Sequence, residues 1–210
     1  MSALPDIPLV EELIPAPDIV TATRKLQSLP KLLVLDSALQ RDPVGRYSFL
    51  TADPIQWWQI DQGVYGDDPF QLLESTLSPL ADAPIEGLPP FQGGVAGLMG
   101  YELGRCFERV SPPCFDEFQL PALAAGLYDW VIAWDHHQHR AWLISQGWPE
   151  VERSRRAAQA TRRAQDIRKR LSLDQIPASL SPTTALEPDQ LAPQHEMTAN
   201  SSLMSNFSRD

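Results

Sequence analysis

Apolar and polar positions along the chain change period several times, and each change marks an element. Leu32 to Ser37 (LLVLDS) is a short apolar run of the buried-strand type. Arg46 to Leu50 alternates like a second strand after the turn residues Asp42-Pro43-Val44-Gly45. Ile55 to Ile60 (IQWWQI) reads as a third strand, closed by a turn over Gly63 to Asp67. Asp68-Pro69 is a helix start, after which Phe70, Leu73, Leu77 and Leu80 form one face at spacings near four. Tyr101 to Val110 predicts a helix with Leu103 and Phe107 on one face. Leu127 to Trp134 is the strongest strand pattern, and a polar turn over Asp135 to His139 returns it into Arg140 to Ser145 as a β-hairpin. Glu150 to Leu171 predicts a long helix with a thin seam of Ala157, Ala160, Ala164, Ile167 and Leu171. Ser172 to Leu203 has no apolar period and reads as a flexible linker. Strands with interspersed helices and no regular βαβ alternation predict an α+β fold built on antiparallel sheets.

Composition narrows the class. A chain of 210 residues with 43% hydrophobic residues and six tryptophans is long and apolar enough for one sizeable core. No apolar run approaches the roughly 18 residues of a membrane span. The acidic start, MSALPDIPLVEELIPAPD, lacks the basic and apolar regions of a secretory signal. Cys106 and Cys114 make neither a disulfide framework nor a zinc pattern, so a cytoplasmic location is expected. The net charge of −10 is uneven. Between Glu150 and Leu171 eight basic residues face Glu150, Glu152 and Asp166, so the remainder of the chain is strongly acidic and nucleic acid is not an expected partner.

Candidate chemistry is sparse. The glycines at 93, 94, 97, 100 and 104 do not fit GxGxxG or a P-loop, and a packed strand-turn-helix accounts for them. His136-His137-Gln138-His139 has metal-ligand residue types, but its hairpin-tip position favours solvated histidines. Asp67-Asp68 and Asp116-Glu117 are paired carboxylates in loop-like settings. Asp129, amid apolar residues, requires a partner: a structural hydrogen bond is the favoured role and a general base the lesser one. The basic helix reads as an exposed helix with a narrow seam, with a partner-subunit contact or a patch for RNA or anionic lipid as rivals. No residue is assigned a catalytic role and none a metal.

Two segments, LPPFQGGVAGLMGYELGRCFERV (Leu88 to Val110) and LPALAAGLYDWVIAWDH (Leu120 to His136), resemble the amino-terminal half of aminodeoxychorismate synthase component I. LLVLDSALQRDPVGRYSFLTADP (Leu32 to Pro54) and the terminal SNFSRD (Ser205 to Asp210) extend the resemblance in order. Phe91-Gln92 and Trp130 fit the 4-aminobenzoate branch better than the sister anthranilate synthase component I. The resemblance implies an α+β fold with antiparallel sheets packed as a sandwich and helices outside. Residues 1–148 would be the amino-terminal domain, 149–171 the basic helix, 172–204 the linker, and 205–210 the start of an absent chorismate-binding domain. The whole subunit of that family makes 4-amino-4-deoxychorismate from chorismate with Mg²⁺, taking ammonia from a glutamine amidotransferase partner. Its catalytic and metal-binding groups belong to the carboxy-terminal half, so this chain is expected to be a non-catalytic fragment without a cofactor of its own. The alternatives are the same piece of an anthranilate synthase, a free-standing tryptophan-binding or regulatory module, and a truncated product. Carried over by residue, a tryptophan pocket would use Ser37, Val44, Gly45, Arg46 and Tyr47, with Arg46 taking the ligand carboxylate. A strand-end hydroxyl and a surface salt bridge account for Ser37 and Arg46 equally well.

Overall fold

The computed structural model describes residues 7–37, 39, 44–80, 83–111, 118–173, 195–196 and 204–205. Of the expected linker and the terminal SNFSRD, Ser172, Leu173 and a short antiparallel pair, His195–Glu196 with Met204–Ser205, fall among them. The class is α+β, with antiparallel sheets, as the alternation patterns predict. The elements are β1 (Leu9–Glu12), α1 (Ile19–Leu26), β2 (Leu33–Leu35), β3 (Tyr47–Thr51), β4 (Gln56–Ile60), α2 (Gln71–Leu77) and β5 (Gly94–Met99). A 3₁₀ turn (Tyr101–Cys106), β6 (Leu123–Tyr128), β7 (Trp130–Asp135), β8 (Arg140–Ser145) and α3 (Arg153–Leu171) follow. One sheet runs β1-β8-β7-β3-β2, and the other runs β4-β6-β5.

The apolar segment around Leu127 to Trp134 is two strands rather than the expected one. β6 is the centre of the small sheet and β7 the centre of the large one, and the chain changes sheet at Asp129. The predicted helix over Tyr101 to Val110 is likewise a short 3₁₀ turn. Three-residue periodicity buries Leu103 with Cys106 and leaves Phe107 54% exposed, stacked on Phe70.

Buried side chains form three clusters, and each takes its strand residues from one sheet. On one face of the large sheet, Leu50, Trp130, Ile132, Trp134 and Leu143 pack under α1 and α3. Its other face carries Val131, Ala133, Trp142 and Ile144 beneath Phe49, Leu88 and Phe91. The small sheet packs Trp58, Leu123, Ala125 and Leu127 against Leu73, Leu103, Cys106 and Trp148. The sixth tryptophan, Trp57, is half-buried under the Lys31 ammonium, 4.3 Å from its ring.

The alanine seam explains how α3 docks. Ala157, Ala160, Ala164 and Ile167 are buried, and small side chains bring the helix close to β8, β1 and α1. Glu152 accepts from the Ser154 hydroxyl and caps the helix by accepting from the Ser154 and Arg155 amides, which together hold its carboxyl down at about 2. The entry is tight. A Cβ on Gly147, whose φ is +72°, would lie 2.2 Å from the Arg156 carbonyl oxygen. At the far end, the α1 residue Lys25 donates to the Leu171 carbonyl.

Arg163 ties α3 to the sheet change. Its Nη1 lies 2.7 Å from Asp53 Oδ2, and its Nη2 lies 3.3 Å from Oδ1 of Asp129, which has no exposed surface. The Nη2 contact is an ion pair by distance without hydrogen-bond alignment, and the hydrogen bond to this carboxylate comes from Arg163 Nε, which donates to Asp129 Oδ2 at 3.3 Å. Burial pushes the Asp129 carboxyl above its ordinary value of 3.8, and the Arg163 guanidinium offsets only part of the effect. The favoured sequence expectation, a structural partner for Asp129, is what the fold supplies.

Arg163→Met should lower the unfolding free energy by about 3–5 kcal/mol at neutral pH in urea titrations, since it strands a buried carboxylate. The deficit should shrink on acidification, because a protonated Asp129 needs no cation. In the parent chain the folded state binds that proton more tightly than the unfolded state does. The contribution of Asp129 is therefore fully present below pH 3.8 and is lost as pH rises through the folded value. A variant as stable as the parent at neutral pH would remove Arg163 from this role.

Candidate functional site

The order β7-β3-β2 brings three strand ends to one edge of the large sheet. Leu35 faces Phe49 across β2 and β3, and Tyr47 faces Asp135 across β3 and β7. Chain continuing past β2 therefore arrives beside the start of β3. Ser37 Oγ donates to the Tyr47 carbonyl at 2.6 Å, and Ser37 N–H donates to Ser48 Oγ at 2.9 Å. The two segments singled out in the sequence do meet. Gly45 has a φ of +78°, a left-handed turn that favours glycine, while Val44 is 61% exposed.

Arg46 is committed within the chain. Its Nε and Nη2 grip the buried carboxylate of Asp135 at 3.1 and 2.7 Å, and its guanidinium lies 4.8 Å from the Tyr47 ring centroid. Asp135 also accepts from the His137 and Gln138 amides, which locks the hairpin turn. Burial raises this carboxyl, but Arg46 and the turn amides outweigh it, and the net position is below the ordinary value. A ligand carboxylate at Arg46 would have to compete with Asp135.

Ser48, fully buried, is a second centre that sequence reasoning missed. Its Oγ lies 2.8 Å from Asp36 Oδ1 and 2.7 Å from His136 Nε2, and it accepts from Ser37 N–H. A hydroxyl has one proton to give. With that proton on Asp36, His136 Nε2 must carry its own hydrogen and donate to Ser48. The trio has the composition of a Ser-His-Asp set but the opposite wiring: the imidazole faces the hydroxyl as a donor, and a general base would need that nitrogen bare. His136 is half-buried and engaged, whereas His137 and His139 are exposed as expected. The readable signal was Asp135 just before a turn, a residue type that accepts amides two and three positions on.

The remaining candidates fall elsewhere. Asp68 accepts from the Phe70 and Gln71 amides in the turn that leads into α2, whose cap position is Phe70 rather than the expected Asp68. Asp116-Glu117 and Cys114 lie outside the described residues, and Cys106 is a buried free thiol. Gln92 spends its side chain on Ile85 and Pro89, consistent with architecture in the glycine-rich segment. A cavity of about 750 Å³ lies beside Trp57, Trp58, Asp67 and Leu73, and one of about 260 Å³ beside Tyr101, Arg105 and Phe107. Ser37 and Arg46 line neither. Among the described residues no three carboxylate, imidazole or thiol groups converge to hold a metal, so no step is assigned to Mg²⁺, and no helix is long and apolar enough to cross a membrane.

Comparison with known proteins adds relatives to this geometry. No family model matches the chain. It is 28% identical over 198 residues to "Aminodeoxychorismate synthase component 1" of Escherichia coli strain K12, covering 89% of this chain and 37% of that protein. The Salmonella typhimurium protein of the same name is 35% identical over 130 residues, covering 56% of this chain and 28% of its own length. "Anthranilate synthase component 1" of Arthrobacter globiformis is 30% identical over 181 residues, covering 80% of this chain and 34% of its own. The chain is thus a relative of the component 1 proteins of aminodeoxychorismate synthase and anthranilate synthase, and it spans about a third of their length.

Proposed function

We propose that the chain is the amino-terminal, non-catalytic part of an aminodeoxychorismate synthase component 1, with the fold of that family's amino-terminal region. The observation that carries this reading is the similarity to the E. coli protein across 89% of the chain, together with Phe91-Gln92 and Trp130. The site supports a non-catalytic role. Its buried polar groups are saturated by one another, Ser48 by Asp36, Ser37 and His136, and Asp135 by Arg46 and the turn. In this reading a glutamine amidotransferase and the remaining length of the subunit are its partners. The Arthrobacter match favours a second reading, the corresponding part of an anthranilate synthase.

Chorismate supplied with glutamine and an amidotransferase, or with ammonia and Mg²⁺, should give no aminodeoxychorismate on the purified chain. Product above a no-protein blank would overturn the non-catalytic reading.

For the ligand pocket, we place tryptophan at the turn of residues 44–47 beside Ser37. Because Asp135 already occupies Arg46, binding should be weak, on the order of millimolar in calorimetric titration. Arg46→Ala should abolish it and lower stability by about 1–3 kcal/mol through the unpaired Asp135. Submicromolar binding that persists in Arg46→Ala would show that the ligand sits elsewhere.

A further inference from the structure

Both sheets are open, and one edge of the small sheet differs in character from the others. The order β4-β6-β5 leaves β5 outermost. The Gly100 amide donates to the Ala122 carbonyl and the Ile55 amide to the Leu127 carbonyl, which sets the phase of the ladder. With Leu98 facing Ala124 and Ala96 facing Gly126, the even-numbered residues of β5 bond to β6. The N–H and C=O groups of Val95, Gly97 and Met99 point outward, and among the described residues nothing pairs with them.

Other edges are guarded. On β1, Glu12 pairs with Arg140 and Glu11 with Arg168. β2 has three residues, and β4 turns Gln56 and Gln59 to water and holds Lys31 over Trp57. β5, GVAGLM, has six residues, no charge and no proline, and it exposes Leu98 and Met99 beside Tyr101, which is 93% exposed. A long, uncharged, apolar edge of this kind is a template for another strand.

We propose that β5 pairs antiparallel with β5 of a second copy of this chain, about a two-fold axis at Gly97. The outward groups are disposed symmetrically about that residue. The axis sets Gly97 opposite its own copy and Val95 opposite Met99, and each facing pair exchanges two backbone bonds, about six in all. Ala96 then faces Leu98 across the axis on the other face. Gly97 brings no side chain to the axis, and an uncharged strand meets itself without repulsion. Leu98, Met99 and Tyr101 of both copies leave water together. One strand pair is small beside the ~1,200–2,000 Å² of a stable interface, so the dimer is weak and concentration-dependent.

Sedimentation equilibrium of the full chain should show the average mass rising from one chain toward two with concentration. Leu98→Lys combined with Met99→Lys should hold it at one chain with an unchanged circular dichroism spectrum, since both positions are exposed and neither belongs to the proposed ligand site. The register has its own readout. Under mild oxidation Ala96→Cys combined with Leu98→Cys should give a covalent dimer that maps by peptide to a 96–98 linkage, and Leu98→Cys alone should give none beyond the parent chain. A chain that stays monomeric throughout, a dimer indifferent to the two lysines, or crosslinks in another register would each overturn the proposal.

Discussion

The contact on which the arrangement depends is the one between Arg163 and the buried carboxylate of Asp129. At that residue the chain leaves the centre of one sheet and enters the centre of the other, and the link from β3 to β4, residues 52–55, crosses between the same two sheets. The Gln146 amide holds the Asp129 carbonyl at 2.7 Å, and the Tyr128 hydroxyl reaches the Lys31 carbonyl. Arg163 adds charge to these anchors and draws in Asp53 from the end of β3. An apolar pair of similar shape would cost less desolvation, but it would not select one helix register along α3 as a directional ion pair does. The alanine seam supplies proximity, and the arginine supplies register.

The polar edge of the large sheet follows a related logic on a smaller scale. Two side chains, Asp36 and His136, and the Ser37 amide saturate the Ser48 hydroxyl, while Arg46 and Asp135 clamp the adjacent hairpin turn. Stoichiometry rather than proximity decides what these groups do. Ser48, Asp36 and His136 are close enough for proton transfer chemistry, yet the hydroxyl's single proton and two lone pairs are already allotted. The same accounting limits Arg46 as an anion receptor, since its guanidinium already faces a fixed carboxylate.

Much of this was legible in the sequence wherever a local period carried the information. β3, β4, the β7–β8 hairpin and the α3 seam stand close to where alternation and helical spacing put them. The meeting of Ser37 with the turn before β3 was also foreseen, because a short antiparallel pair fixes its own ends. What was not legible depended on distant partners. Nothing local distinguishes one long strand from two across Leu127 to Trp134, because the residue that decides it, Arg163, lies 34 positions beyond Asp129. The commitment of Arg46 was invisible for the same reason, with Asp135 at a separation of 89. In the 3₁₀ turn, glycines at 100 and 104 weaken the helical period enough for a tighter one to win. β1 and α1 escaped notice among the prolines at 8, 15 and 17, although Asp18 accepting from the Thr21 amide is a helix cap in plain sequence order.

The distribution of tryptophans divides the molecule optically. Trp130, Trp134 and Trp142 belong to the large sheet, while Trp57 and Trp58 lie on the small one and Trp148 packs against it. Each sheet thus carries three indoles. Trp57, beneath an ammonium group, differs in environment from the five buried rings. Single replacements would therefore turn intrinsic fluorescence into separate channels for the two sheets, so that loosening of one could be followed while the other stays intact, without attaching a dye.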